Sequence, residues 1–250
     1  NDCSTQKKVT FKYRLNNIKS VKILNLKFNL GHDRAIAVGL KYLDKNKKFD
    51  YVITMDSDGE DNPKYLKSFI KKIKNIQNLT IVSRRKKRSV SPVFSVLYLF
   101  HLSILFLFVG KWINFGGYNC LSKSIVKKLV KQKTLWGNYS ATIFSIDKHL
   151  LFLDTDRSKR YHGPSQMNYY KLILHSLSIL AVFKKNIFYK IFLLLFLNLL
   201  IIIFINHFLL YVPLILILLF GFLVLIMSFR ENNLWQKKVN KSILSINNLY

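Results

Sequence analysis

Apolar residues are spaced in three ways along this chain, and each spacing predicts a different kind of element. Residues 21–26, 50–55 and 79–83 are short β-branched and apolar stretches and read as strands. Between them, residues 33–44 and 63–75 repeat apolar positions at helical spacing. Strands alternating with amphipathic helices imply a mostly parallel sheet joined by crossover helices. Ligands of such open sheets sit at the carboxyl ends of strands, so the loops after Leu26, Met55 and Ser83 are where chemistry is expected.

The C-terminal third is patterned differently. Residues 187–205 are interrupted only by Lys190 and Asn198, and residues 208–229 only by Pro213 and a glycine. Each run is about 29 to 33 Å long as a helix, close to the roughly 30 Å hydrocarbon core of a bilayer. Both read as transmembrane helices, joined by Asn206 and His207 into a tight hairpin. Lys184, Lys185 and Lys190 before it and Arg230, Lys237, Lys238 and Lys241 after it place both ends in the cytoplasm. The expectation is a multi-pass membrane protein with a cytoplasmic catalytic domain.

The third spacing marks surface helices. Residues 93–109 are apolar-biased but broken by Ser95, His101 and Ser103, and read as interfacial, with a spanning helix as the alternative. Between residues 166 and 183, Met167, Tyr170, Leu174, Leu177 and Ala181 oppose Asn168, Lys171, His175 and Ser178, an amphipathic face suited to the bilayer surface. The organisation expected is therefore a catalytic domain over 1–165, an interfacial helix over 166–185, a membrane hairpin over 187–229 and a basic tail over 230–250.

Composition narrows the classes. Half of the 250 residues are hydrophobic, yet 40 Lys and Arg face 12 Asp and Glu, a formal charge of +28. Abundant large apolar residues exclude a disordered chain, and nine glycines without a repeating period exclude collagen-like and repeat architectures. Cys3 and Cys120 form neither a disulfide framework nor a zinc site. Evenly spread positive charge beside an anchor suits an anionic leaflet, where each Lys or Arg contributes about 1 kcal/mol of attraction, and nucleic acid is not expected as a partner. The chain begins at Asn1 rather than Met and is read as N-terminally truncated.

Chemistry concentrates in residues 51–63, Y-V-I-T-M-D-S-D-G-E-D-N-P. A strand delivers Asp56 and Asp58 into a turn at Gly59, and Asn62-Pro63 starts the next helix. Four of the twelve acidic residues, Asp56, Asp58, Glu60 and Asp61, fall within six positions. Clustered carboxylates repel one another unless a cation joins them, and hard oxygen donors at a strand end suit Mg²⁺ or Mn²⁺ shared with a diphosphate.

With its neighbours this loop resembles the family 2 glycosyltransferases of the GT-A fold. Asn1-Asp2-Cys3-Ser4-Thr5 looks like the family's N-D-G-S-T element, Asn29-Leu30-Gly31-His32-Asp33-Arg34-Ala35 like its N-x-G-x-x-x-A helix start, and Asp56-Ser57-Asp58 like its D-x-D metal motif. The likeness is strongest to the polyprenyl-phosphate sugar synthases of the dolichol-phosphate mannose synthase type. It is carried by M-D-x-D, Ser83-Arg84, Asn114-Phe115-Gly116-Gly117-Tyr118 and Arg160-Tyr161-His162-Gly163-Pro164-Ser165.

The resemblance implies an α/β fold of GT-A type, with a Rossmann-like, mostly parallel sheet followed by interfacial helices and the transmembrane hairpin. It implies inverting transfer of a sugar from a UDP- or GDP-type donor, with Asp2, Arg34 and Asp56 binding the donor and Asp56 and Asp58 holding Mg²⁺ or Mn²⁺. A homo-oligomer is compatible with it. The chain departs from the family pattern at Cys3, where the family has Gly, and at Gln166, where Lys often follows the Ser; the family's first strand would precede Asn1.

The acceptor follows from what the chain offers. Many family members place a catalytic carboxylate pair downstream of D-x-D, whereas Trp136-Gly137-Asn138-Tyr139-Ser140-Ala141 contains none. A lipid phosphate needs no general base, because its second pKa near about 6 leaves it largely dianionic. It needs cations. Arg84 and Arg160 are the strongest candidates, with Asp58 as the third catalytic residue; Arg88 and Arg157 are weaker ones, and Arg85, Lys86 and Lys87 read as a basic surface run. A hydroxyl acceptor, a glycolipid or glycan, is the alternative, and an inactive membrane-tethered remnant is the second. Asp147, Asp154 and Asp156 read as solvated loop residues, His101 and His175 as interfacial groups, and Trp112 and Trp136 as core or interface anchors.

Overall fold

The computed structural model of the chain describes residues 1–4, 17–75, 78–85, 92–110, 112–161, 168–205, 207–229 and 242–249. Strands β1 (Lys22–Leu26), β2 (Tyr51–Thr54) and β3 (Thr80–Arg85) and helices α1 (His32–Asn46) and α2 (Leu66–Asn75) occur in the expected order. Asn62 accepts the backbone N–H of Lys64 and starts the 3-10 turn Pro63–Tyr65 that leads into α2. Beyond these lie α3 (Pro92–Val109), β4 (Phe115–Ser122), α4 (Lys123–Leu129), α5 (Tyr139–Ile146), β5 (Leu150–Thr155), α6 (Tyr169–Val182), α7 (Lys184–Ile205), α8 (Tyr211–Phe229) and β6 (Ile243–Asn248).

The main sheet has the order β2-β4-β3-β5. β3 and β5 pair in parallel, while β4 runs antiparallel between β2 and β3. The strand alternation thus gives a mixed α/β architecture in which β2, β3 and β5 point the same way and β4 is reversed. Its two faces are covered separately. Ile81, Tyr118 and Cys120 face α2 through Phe69, whose ring meets Tyr118 edge-on at 5.0 Å. Val82 and Leu121, one residue along their strands, face the larger core with α1, α4 and α5, as period-two alternation requires. Full burial of each such side chain contributes about 1.5–3 kcal/mol.

The second sheet is a two-stranded ribbon. β1 pairs antiparallel with β6, so residues following α8 return to the N-terminal region rather than forming only a basic tail. Odd-numbered positions beside β1 bond the β6 side, as in Lys27 N–H to Ser242 O and Leu249 N–H to Val21 O. On the opposite edge Leu26 N–H donates to Asn1 O and the Asn1 amine to Leu24 O.

α7 and the segment 208–229 are each long and apolar enough to cross a membrane by length and composition. They pack antiparallel: Lys184 Nζ at the start of α7 donates to Ser228 Oγ near the end of α8 at 2.8 Å. Gly221 lets Ile191 approach, a Cβ there being 3.2 Å from the Ile191 methyl. Their outward residues stay exposed, Phe204 at 84%. α3 leans on the pair, with Phe108 and Phe220 rings 5.1 Å apart and Lys190 Nζ donating to Leu107 O at 2.5 Å. Asn206, Trp235 and the basic residues 230–241 fall outside the described residues.

Candidate functional site

The site forms where three loops meet at strand ends. After β1, the Asp2 carboxylate accepts the backbone N–H of Leu30 at 2.6 Å and of Gly31 at 2.8 Å, fixing the turn into α1. Gly31 has φ +83°, a left-handed conformation suited to glycine. Cys3 holds φ +57° where a glycine would be easier, which agrees with its departure from the family pattern. Arg34, one turn further, donates from Nε to Trp136 O at 3.1 Å and from Nη1 to Leu30 O at 2.9 Å, tying α1 to the segment before α5.

After β2 comes the acidic loop. Asp56, Asp58 and Glu60 each offer a carboxylate oxygen within 4.8 Å of the others. Asp56 N–H donates to Asp61 Oδ2, and Glu60 N–H to Asp58 Oδ1, so the carboxylates also shape the turn. Gly59 sits at φ +91° with the Tyr161 ring against it, leaving no room for a Cβ.

Residues 156–161, following β5, run along this loop. Ser158 N–H donates to Glu60 O and Tyr161 N–H to Asp58 O. Arg160 binds Glu60 through Nε at 2.9 Å and Nη2 at 3.4 Å, and reaches Asp58 Oδ2 at 3.3 Å. Arg157 pairs with the same Glu60 carboxylate. Glu60 is buried, so without these partners its charge would be strongly destabilising. Burial, followed by the nearby Arg160 charge, lowers the Arg157 pKa from its ordinary value.

His32 joins the two loops. Its Nε2 lies 2.5 Å from Asp56 Oδ1 and its Nδ1 3.7 Å from Asp33. The carboxylates of Asp33 and then Asp56 push its pKa up to about 10. Gly117 of β4 backs directly onto the imidazole, a Cβ there being 2.9 Å from Cε1. His175 of α6 reaches Asp33 from the other side at 3.9 Å, so it belongs to this network as well as to its own helix surface.

Asp56, Asp58 and Arg160 are thus brought together, and Asp2 and Arg34 brace the adjoining loop. Arg84 is placed differently: its Nε donates to Asp154 at 2.8 Å, with its guanidinium 5.6 Å from the Phe152 ring centre. Asp154 and Asp156 are not simply solvated. The first holds Arg84, and the second accepts from the Tyr65 hydroxyl at 2.9 Å. Trp136 is buried, whereas Trp112 is exposed against Phe106. Arg88, Lys86, Lys87, the Arg85 side chain and residues 162–167 lie outside the described residues. Glu60 and His32 are the functional candidates that sequence reasoning left in the background. Their signals were the third carboxylate at a spacing of two and an imidazole two positions before the helix arginine.

The carboxylate set fits a hard divalent cation in donor chemistry: Asp56 also meets His32 and Asp58 one arginine, whereas Glu60 is held by two.

Comparison with known proteins places these loops in context. The Synechocystis sp. protein called "Uncharacterized glycosyltransferase sll0501" is 23% identical over 161 residues, covering 62% of this chain. The chain spans about half of that relative, 48% of its length. The family model described as "Glycosyl transferase family 2" matches residues 1–134, which include the Asp2 turn, the start of α1 and the acidic loop. The chain therefore belongs to glycosyltransferase family 2.

Proposed function

We propose that this protein is a membrane-anchored, metal-dependent inverting glycosyltransferase that moves a sugar from a UDP- or GDP-type donor to a polyprenyl phosphate. The observation that carries the reading is the Asp56-Asp58-Glu60 cluster clasped by Arg157 and Arg160, in a chain whose α7 and α8 expose apolar surface on most sides. Exposed apolar surface on that scale has no stable place in water. Within the family, the likeness to dolichol-phosphate sugar synthases supports a lipid phosphate as acceptor.

In this reading a phosphate oxygen of the acceptor attacks the anomeric carbon, the bond to the donor diphosphate breaks, and the nucleoside diphosphate leaves with the electron pair. Asp56 and Asp58 would hold Mg²⁺ or Mn²⁺, which supplies positive charge to the departing diphosphate. Asp2 and Arg34 set the donor loop, and His32 orients the Asp56 carboxylate. Arg160 lies where it can exchange a carboxylate for phosphate oxygens, and Arg84 remains a candidate for the acceptor phosphate. No proton needs removal. In the 136–141 segment Asn138 accepts from Ala141 N–H, Tyr139 bonds Thr54 and Ser140 donates to Gly116 O, so its polar side chains serve the scaffold.

Residues 1–165 would form the catalytic domain with α3 interfacial, α6 an amphipathic surface helix, and α7 and α8 a hairpin with both ends cytoplasmic. Membranes carrying the full-length protein, given radiolabelled UDP- and GDP-sugars, test it. Wild type should label an extractable lipid whose sugar is released by mild acid. Asp58→Asn or EDTA should reduce labelling at least about a hundredfold. Undiminished labelling by Asp58→Asn would overturn the site. An acid-stable product would indicate a hydroxyl acceptor, and absence of donor binding an inactive remnant.

A further inference from the structure

A cleft of about 310 Å³ opens where α5 ends and α6 turns into α7, and none of its lining residues belongs to the acidic loop. α5 spans the distance between them. Its first residues touch the site's scaffold, Tyr139 through Thr54 and Ser140 through Gly116. Its last turn supplies Phe144 and Ser145 to the cleft, five residues or about 7.5 Å further along the helix axis. Phe144 meets Phe183 edge-on at 6.3 Å, which gives the cleft an apolar wall.

Its polar side is cationic. Lys148 and Lys185 line it together with Ser145 and Asn186. Both lysines are exposed, and among the described residues neither forms an ion pair. At this corner α6 hands over to α7, with Phe183 alone between the two helices. From there the lipid-facing side of α7 continues through Tyr189, Phe192 and Phe196, all exposed. Two cations, an amide donor, an aromatic wall and an apolar track leading away make up the chemistry of a phospholipid site: phosphate at the corner, acyl chains along the helix.

We infer that this cleft binds the headgroup phosphate of an anionic glycerophospholipid, separately from donor and acceptor. The inference rests on the reading that α7 and α8 enter a bilayer. Carbonate washing of membranes carrying the full-length protein checks that reading first. Protein released by carbonate would overturn the bilayer reading and this site with it.

Retained protein is then extracted, stripped of lipid and titrated with phosphatidylglycerol or phosphatidylcholine, with bound lipid counted by native mass spectrometry. Wild type should retain one phosphatidylglycerol in preference to phosphatidylcholine. Lys148→Gln/Lys185→Gln should weaken that binding about thirtyfold, from about a tenfold loss per 1.4 kcal/mol and about 1 kcal/mol per lysine. Lys127→Gln/Lys128→Gln, which removes the same charge from exposed positions on α4, should bind as wild type does. Equal binding by both double variants would overturn the site. Displacement of the lipid by millimolar inorganic phosphate would overturn the lipid assignment in favour of a phosphate ion. A glycosylation rate that falls with the cleft variant at saturating acceptor, while acceptor KM is unchanged, would distinguish this lipid from the acceptor; a raised acceptor KM alone would make the cleft part of the acceptor site and overturn its separateness.

Discussion

The two sheets each carry one half of the candidate donor site, and they differ sharply in burial. In the four-stranded sheet, seven of the eight residues of β4 are buried, and both faces are covered by helices. In the ribbon, β1 is buried only at Leu26, and β6 has no buried residue. The acidic loop hangs from the first, while the Asp2 and Gly31 turn hangs from the second. The comparison teaches that the charged half of the site, which must hold repelling carboxylates in place, rests on the stiffer support. The half that carries the Asp2 and Gly31 turn rests on backbone pairing, together with the His32 contact to Asp56 and the Arg34 contact to Trp136 O.

The sharpest way to break this contrast is to cut equally into each sheet. Phe69→Ala removes a fully buried ring beneath the main sheet and should cost about 3–5 kcal/mol, read as a lowered unfolding midpoint in detergent. Asn25→Ala, which loses the side-chain bonds to Asn1 and Ser245, should cost about 1 kcal/mol or less by the same measurement. Equal losses would contradict the difference between the sheets.

A smaller effect sharpens the picture of the acidic loop. Gly59→Ala places a methyl group in the Tyr161 ring and demands a left-handed alanine, so it should cost about 1–2 kcal/mol from the backbone alone and lower transferase activity. Adding Tyr161→Ala should restore the part due to the clash and leave the backbone part. Full recovery would mean the conformation of Gly59 is unimportant.

The last effect, cut down by solvent screening because half of the His32 side chain is exposed, concerns the bridge between the halves. His32 takes up a proton more readily in the folded protein, its pKa rising from the ordinary 6.5 to about 10. Its stabilising ion pairs are therefore fully present below about pH 6.5 and are lost as the pH rises toward about 10. The difference in unfolding midpoint between wild type and His32→Gln should be greatest near pH 6 and shrink across that window. A difference that grows with pH would reverse the assignment.

Much of this was legible from spacing alone. The first three strands, α1, α2 and the two apolar helices are local patterns, and local patterns survive reading one residue at a time. β4 is absent from the spacing pattern because glycines weaken a strand signal; the second of its two glycines is small because His32 occupies the space above it. Asp154 and Asp156 looked solvated because their partners, Arg84 and Tyr65, lie 70 and 91 residues away. Arg84 was expected beside the phosphates on its charge, yet charge cannot say which carboxylate a guanidinium will find first. The clasp on Glu60 depends on β5 lying beside β3, a matter of topology rather than sequence pattern.

The pairing of β6 with β1 bears on how the body would sit on a bilayer if α7 and α8 enter one as proposed. A catalytic body joined to its anchor at a single point can swivel and tip like a boat on one line. Here the chain leaves the body before α7 and is stitched back into it after α8, so the pair of apolar helices is tied to the body at both ends. In the proposed membrane reading, a twice-moored body would keep one heading, and the acidic loop would hold a constant bearing toward the bilayer.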